Sequence, residues 1–355
     1  MSRAMTGGHW VEDAAAPLRE AWYYAAPARR LRPGRLLARE MLGEPVVLGR
    51  DQNGAVFALR DLCPHRGMPL SAGHFDGREI ECCYHGWRFS PDGRCTAIPS
   101  LVEGQAFDFS KVGVPRYSAC EVQGNIWVYF GDDPGRAPEI PRVEGVGESA
   151  APRLFTSLRI AAGFDATVVG LLDPAHGPFV HHAWWWRSRH SLQEKAKVFT
   201  PSSWGFTMRR HASSRNSRGY RLLGLTTETE IEFVLPGVRI DHTRAGRHAV
   251  ANLTAITPID DVTTEINHCI YWTAPWLSAA KPLLGRVMRA FLEQDRRVLE
   301  RQQQGLRYAP LLAFVDDADT QLRWYYRLKQ EYRRARAEGR PFENPVQPRT
   351  LRWRS

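Results

Sequence analysis

"CPHRGMPL" at residues 63–70 is followed at residues 82–87 by "CCYHGW", so that a Cys-x-His pair and a Cys-x-x-His pair stand sixteen residues apart. The 355-residue chain has six cysteines, and four of them, Cys63, Cys82, Cys83 and Cys95, crowd this one segment. Such crowding reads as metal or redox chemistry more readily than as a disulfide framework. Two soft thiolates and two imidazoles, arriving on two short loops, make a metal site the first expectation.

The surroundings of these loops are β-rich. From about Trp22 to Gly131, short runs such as "EPVVLGR", "AVFALRD" and "GNIWVYFG" alternate with the turn signals "DQNG", "FDG" and "SPDG". This is the texture of a small all-β domain. "DDPGRAPEIPR" then reads as a linker. Beyond it come the strand-like runs "RGYRLLGLTTETEIEFVL", "HAVANLTAITPI" and "TTEINHCIYWTAP", the helical run "KPLLGRVMRAFLEQDRRVLERQQQGL" and a basic helix near the C-terminus. Strands in sequence with helices at the end make an α+β second domain. The expected division is a tail at 1–17, a β domain at 18–138 and a second domain at 139–355, and two domains suit the length.

Composition bounds the partners. No apolar stretch approaches the roughly 18 to 20 residues of a spanning helix, and "MSRAMTGGHWVEDAAAPLREAW" is too polar for a signal peptide, so no membrane and a cytoplasmic setting are expected. The formal charge of +10 owes much to the tail, as in "RLKQEYRRARAEGR". This reads first as a solvated helix face. It suits an acidic protein partner as well as it suits nucleic acid, and nucleic-acid binding is not expected.

Two Cys and two His admit a structural zinc, or a two-iron cluster with thiolates on one iron and imidazoles on the other. Zinc sites more often pair Cys with Cys on the first knuckle, whereas the alternating order here lets each loop give one ligand to each iron. "CPHRG" with "C-x-YHGW" resembles the Rieske [2Fe-2S] motif, which implies Cys63 and Cys82 on one iron and His65 and His85 on the other. Cys83 stands where that family commonly has proline, and the C-x-x-H spacing favours Cys82 as the ligand.

The second domain carries "GLLDPAHGPFVHHAWWWR" at residues 170–187, with Asp173, His176 and His181 at D-x-x-H-x4-H. Asp173 followed by Pro174 reads as the N-cap and first residue of a helix. Asp173 and His176 would then share a face, and Gly177 and Pro178 would disturb the helix and let His181 return toward His176. Two imidazoles with one carboxylate and open positions make the facial triad of non-heme Fe(II) oxygenases. His182 competes with His181. In "LLGRVMRAFLEQDRRVLERQQ" the apolar stripe of an amphipathic helix contains Asp295, three or four residues from Phe291, Leu292, Val298 and Leu299. A buried carboxylate needs a cation or an ion pair. Glu293 and Glu300 sit off the stripe, and Glu293 is the alternative ligand.

Roughly Trp22 to Tyr326 resembles the oxygenase α subunit of the Rieske non-heme iron oxygenases. The resemblance implies a Rieske domain followed by a helix-grip-like catalytic domain, with His176, His181 and Asp295 holding a mononuclear Fe(II). It also implies a homotrimer in which Asp173 links a cluster histidine of one subunit to His176 of the next. Many relatives carry Asn or Asp at the position of Val169, so hydrogen bonding around the bridge differs here. The implied reaction is O2-dependent monooxygenation or oxidative demethylation of an aromatic or polycyclic substrate, with arene cis-dihydroxylation as the alternative. A simple electron carrier and a zinc-stabilised nucleic-acid binder are the non-oxygenase readings. Electrons would come from an acidic ferredoxin or a flavin-containing reductase docking near His65 and His85 with the help of Arg66 and Arg88. Trp184, Trp185 and Trp186 would line a pocket or pack an interface, and Arg239, His242 or Arg244 would meet an acidic substrate.

Overall fold

The computed structural model describes residues 16–181, 190, 192–212 and 227–355. His182 and Trp184, Trp185 and Trp186 lie outside these residues. Two compact units divide the chain, one of residues 19–140 and 147–151, the other of 141–146 and 152–355 with the N-terminal residues to Leu18. An N-terminal β domain is thus followed by a domain of antiparallel sheet and helices.

In the first unit, β1 (Ala21–Pro27), β2 (Leu37–Met41), β3 (Glu44–Arg50) and β4 (Val56–Arg60) precede the short strands β5 (His74–Phe75), β6 (Ile80–Glu81), β7 (Arg88–Phe89) and β8 (Cys95–Ala97). β9 (Arg116–Val122) and β10 (Asn125–Phe130) complete it. The antiparallel order is β1-β10-β9-β4-β3-β2, and β5-β6-β7-β8 form a second small sheet. Every residue of β10, "NIWVYF", is buried. A strand covered on both faces needs no polar alternation. Tyr24 of β1 meets Trp127 edge-on at 5.5 Å between centroids, a geometry that the ring quadrupole favours. The core under the small sheet joins Val47, Phe57, Leu59, Phe75, Ile80 and Phe89 to the buried Cys63, Cys82 and Cys95.

In the second unit, β11 (Leu154–Ile160) leads into two helices, α1 (Phe164–Leu172) and α2 (Gly177–Val180). Then follow β12 (Glu194–Ser202), β13 (Gly205–Ala212), β14 (Thr227–Val234), β15 (Val238–Ala245), β16 (His248–Pro258) and β17 (Thr264–Trp272). The long helices α3 (Lys281–Leu306) and α4 (Thr320–Ala337) and a last strand β18 (Arg349–Arg354) end the chain. The sheet order is β11-β17-β16-β15-β14-β13-β12-β18, antiparallel throughout.

This differs in detail from strands first and helices last. α1 and α2 interrupt the strands, and β18 returns to the β12 edge, where Leu351 and Trp353 are buried between exposed arginines. α3 has the bounds of the expected helical run, with Pro282 in its first turn, where a missing N–H costs nothing. It lays Leu284 and Met288 on Leu154, Ile270 and Trp272. α1 is pinned to α4 by a buried network in which Lys329 Nζ donates to both oxygens of Asp165 (2.5 and 2.7 Å) and Tyr325 Oη donates to Oδ1 (2.5 Å). Burial pushes the Asp165 carboxyl up and the Lys329 amine down to about 8, against their mutual attraction.

Candidate metal centres

The two Cys/His loops are built alike. In the first, Gly67 N–H donates to Cys63 O (2.8 Å) and Cys63 N–H to Met68 O (2.7 Å); in the second, Gly86 N–H donates to Cys82 O (3.0 Å) and Cys82 N–H to Trp87 O (2.8 Å). Gly67 and Gly86 have φ of +70° and +68°, which a side chain would strain. The fourth residue after each cysteine is therefore glycine for a backbone reason. Cys63 and Cys82 are buried while His65 and His85 reach partial exposure, their rings 4.5 Å apart. Trp87 stacks on His65 at 4.6 Å and 3°. Asp61, buried beneath, accepts from Ser71 N–H (2.7 Å) and Oγ (2.5 Å) and fixes the first loop's far end.

The thiolates need a cation. Burial, with Cys82 adjacent, pushes the Cys63 thiol up to about 11, so a metal must displace its proton. Among the described residues, His176, His181 and Asp295 are the group whose donor atoms fall within 4.8 Å of one another. Cys63 lies beside Cys82, and the ring of His65 lies beside that of His85, so like donors are paired. Their arrangement suits a cluster with two metal positions. Cys83, by contrast, is exposed. Arg66 is exposed, and Arg88 is engaged across the strand pair by Glu81 at 2.8 Å.

The second centre lies on α2 and α3. No helix runs through residues 173–176, which corrects the reading of Asp173 as an N-cap sharing a helical face with His176. Asp173 is the C-cap of α1, and its Oδ1 accepts from Ala175 N–H at 2.7 Å. Gly177 and Pro178 open α2 and do not break a helix. Pro174 is the physical reason, because the residue before a proline is driven out of the α region. The resulting turn lets His176 Nδ1–H donate to the Asp173 carbonyl (2.8 Å) and leaves Oδ2 of Asp173 at 3.8 Å.

His181 Nδ1–H donates to Gln294 Oε1 at 3.0 Å, and Phe291 stacks on the ring at 4.6 Å. With both Nδ1 atoms donating, both Nε2 atoms present lone pairs, and these face each other at 3.2 Å. Asp295 Oδ1 is 3.1 Å from one and 3.9 Å from the other. Two lone pairs and a carboxylate so disposed repel unless a cation sits between them. At metal–ligand distances of about 2.1 Å, adjacent ligands are separated by about 3 Å, so the donor set fits a divalent ion. Burial holds His176 below the ordinary imidazole range, while Asp173 and Asp295 pull the other way. Glu293 is held instead by Arg296 and Arg297, and Glu300 by Arg296.

A cavity of about 1040 Å³ opens on these three residues, with Val169, Leu172, Ile231, Val250, Ile266 and Phe291 among its apolar walls. Arg239 does not stand free for a substrate: it is paired with Asp241 at 2.7 Å and donates to the Leu171 carbonyl at 2.7 Å, bracing the end of α1 beside Asp173. Arg244 is exposed, and His242 alternates to the other face of β15. Three residues of the site and its cavity escape a reading from sequence. Gln294 was adjacent to Asp295 and is the hydrogen-bond partner of His181. His268, in the wholly buried β17, pairs with Thr254 Oγ1 at 3.0 Å, and burial pushes it down to about 4. Asn252 keeps a buried Oδ1 with no partner among the described residues.

Comparison with known proteins gives these centres a family. Residues 21–117 match the Rieske [2Fe-2S] domain, and residues 168–330 match the vanillate O-demethylase oxygenase C-terminal domain. Its two matched domains are those of the Rieske oxygenase family. The family uses a Rieske cluster with mononuclear non-heme iron, and works with small substrates, O2 and electron-transfer partners. The iron-sulfur subunit TsaM1 of the toluene-4-sulfonate monooxygenase system of Comamonas testosteroni is 38% identical over 166 residues, 46% of this chain and 46% of that protein. Chlorophyllide a oxygenase of Chlamydomonas reinhardtii is 35% identical over 181 residues, 51% of this chain and 26% of that protein. The matched region thus spans less than half the length of these curated relatives. In fold, NdmA of Pseudomonas putida CBB5 with caffeine superposes with a TM-score of 0.70 at 19% identity, covering 90% of this chain and 92% of that one. Dicamba monooxygenase bound to dicamba gives 0.67 at 20%, covering 90% and 100%.

Proposed function

We propose that the chain is the oxygenase component of a Rieske non-heme iron system that mono-oxygenates a small aromatic or polycyclic substrate, by hydroxylation or oxidative demethylation. The observation that carries this reading is the convergence of His176 Nε2, His181 Nε2 and Asp295 Oδ1 on a largely apolar cavity, in a chain that also carries the paired Cys/His loops. Cys63 and Cys82 would hold one iron of the cluster and His65 and His85 the other; His176, His181 and Asp295 would hold the mononuclear iron. When bound, these groups supply single electrons and activate O2. The protein's part is positioning. The Asp173 carbonyl and Gln294 fix the imidazole tautomers, and the apolar walls exclude water and orient the substrate.

The catalytic domain argues against a simple carrier, which needs the cluster alone. The division at 18–138 and 139–355 is the functional one in this reading. The working form is a homotrimer in the cytoplasm, with no nucleic acid or membrane, in which Asp173 accepts hydrogen bonds from His176 and from a cluster histidine of the next subunit. An acidic ferredoxin, or a flavin-containing reductase, docks at His65 and His85 beside Arg66; Arg88, already paired with Glu81, contributes less. Product mass spectrometry of a compound library turned over under isotope-labelled O2 with a surrogate reductase tests the reading. One labelled oxygen per product, or a lost methyl group, supports it. Two labelled oxygens on adjacent arene carbons would make the chain a cis-dihydroxylase, and no labelled product from protein loaded with both metals would refute an oxygenase.

A further inference from the structure

The cavity has an end lined by β12 and β13 that the metal centre leaves unexplained. β12 alternates so that Lys195, Lys197 and Phe199 line the cavity while Glu194, Ala196 and Val198 are exposed. β13 adds Phe206 and Met208 and, past the irregularity between Met208 and His211, the imidazole of His211. Cations facing an apolar cavity call for a counter-charge. Lys195 has a polar partner, donating to Ser355 Oγ at 2.8 Å. Lys197 has no carboxylate partner among the described residues, and the internal segments outside them, 182–189, 191 and 213–226, contain neither Asp nor Glu. Glu230 of β14 shares an adjoining pocket with Lys197 and His211 but does not line the cavity itself, and it is paired with Arg210 at 3.9 Å.

Burial lowers the Lys197 amine, and it lowers His211 too, with Lys197 and Lys195 adding to the effect. Each group is thus short of negative charge. His211 Nδ1–H is spent on the Arg209 carbonyl at 2.9 Å. A neighbouring anion would favour the doubly protonated ring, whose Nε2–H can donate to it. Beside these groups Phe199, Phe206, Ile231 and Phe233 make a continuous apolar floor.

We propose that Lys197, flanked by Lys195 and His211, is an anion subsite that receives the carboxylate, sulfonate or phosphate of an amphiphilic organic substrate whose apolar body lies along the Phe199–Ile231 floor. The assignment rests on the cavity being the substrate site, as proposed above, and narrows the substrate class from aromatic or polycyclic compounds to those bearing a negative group. A shape-matched probe pair tests it: 8-anilinonaphthalene-1-sulfonate and the uncharged N-phenyl-1-naphthylamine, which differ by the sulfonate. Equilibrium dialysis against the full chain, loaded with both metals and without reductant, gives the two dissociation constants.

Wild type should bind the sulfonate about tenfold tighter than the uncharged amine, and Lys197→Met should erase about that factor for the sulfonate alone, the size expected of a charge-assisted hydrogen bond. Lys197→Arg should retain it. Equal loss of both probes, or no loss of either, in a Lys197→Met protein of unchanged melting temperature would overturn the subsite; if that variant fails to fold, Lys197→Gln is read by the same criteria. Because binding is measured without turnover, a wild-type protein that binds both probes equally refutes the subsite and leaves the oxygenase reading standing. Intact discrimination in a protein that yields no product refutes that reading instead.

Discussion

Gln294 is the residue on which the geometry of the second metal centre can be priced most directly. Replacing it by leucine removes the acceptor 3.0 Å from His181 Nδ1 and leaves a donor unpaired on a ring that is 8% exposed. An unsatisfied buried donor costs about 1 to 3 kcal/mol. The imidazole can escape that cost by moving its proton to Nε2, the atom that must carry a lone pair toward the metal. Either way the penalty falls on the metal-bound state, and about 1.4 to 2.7 kcal/mol corresponds to a tenfold to hundredfold loss of affinity, the range found for such supporting hydrogen bonds. The assay is competition for ferrous iron with a chelator, following mononuclear iron while the cluster absorbance reports cluster content. Gln294→Leu should release mononuclear iron at about a tenth or less of the wild-type chelator concentration, and Gln294→Glu, which keeps the acceptor, should hold it. Release by Gln294→Leu at the wild-type concentration would refute the tautomer argument.

Three other outcomes follow from particular contacts. Asp173→Asn keeps an acceptor for Ala175 N–H but loses the charge, so it should load both metals and accept electrons from a donor yet form almost no product; near-normal cluster reoxidation in single turnover would reduce Asp173 to a structural turn residue. Lys329→Met leaves Asp165 buried without its cation and should cost about 3 to 5 kcal/mol of stability, while Asp165→Leu combined with Lys329→Met should recover most of it; equilibrium denaturation of the two variants decides this. His268 has a folded pKa near 4, below the 6.5 of a free imidazole, so the unfolded chain takes up the proton first and stability is lost as pH falls from about 6.5 to 4, by about 3 kcal/mol in all. His268→Gln should flatten that part of the pH–stability curve, and an unchanged slope would mean that the acid sensitivity lies elsewhere.

What the sequence made legible was whatever local chemistry enforces. Each Cys/His loop needs its ligands around one tight turn, so the spacing and the glycines at 67 and 86 stand together in the chain. α3 could be read because one apolar stripe runs along it, and Asp295 on that stripe had to meet a cation. Asp173 misled because Asp-Pro favours a helix start and also stops a helix already running; only the short apolar run of α1 before it distinguishes the two. Pairings between distant segments left no local sign. β18 looks like basic tail until β12 pairs with it, and the partners of Arg88, Arg239 and His268 lie on neighbouring strands or on a helix end that no periodicity reveals.

The central claim is that one chain holds a Rieske cluster and a separate ferrous site made by His176, His181 and Asp295. Electron paramagnetic resonance of reduced protein exposed to nitric oxide tests it without knowledge of the substrate, because an open mononuclear ferrous site gives a high-spin nitrosyl signal distinct from that of the reduced cluster. Wild type should show both signals, and Asp295→Ala should keep the cluster signal, lose the nitrosyl signal and lose one iron per chain. A wild-type protein with all its iron in the cluster and no nitrosyl signal, or an Asp295→Ala protein that keeps that signal at full strength, would contradict the account.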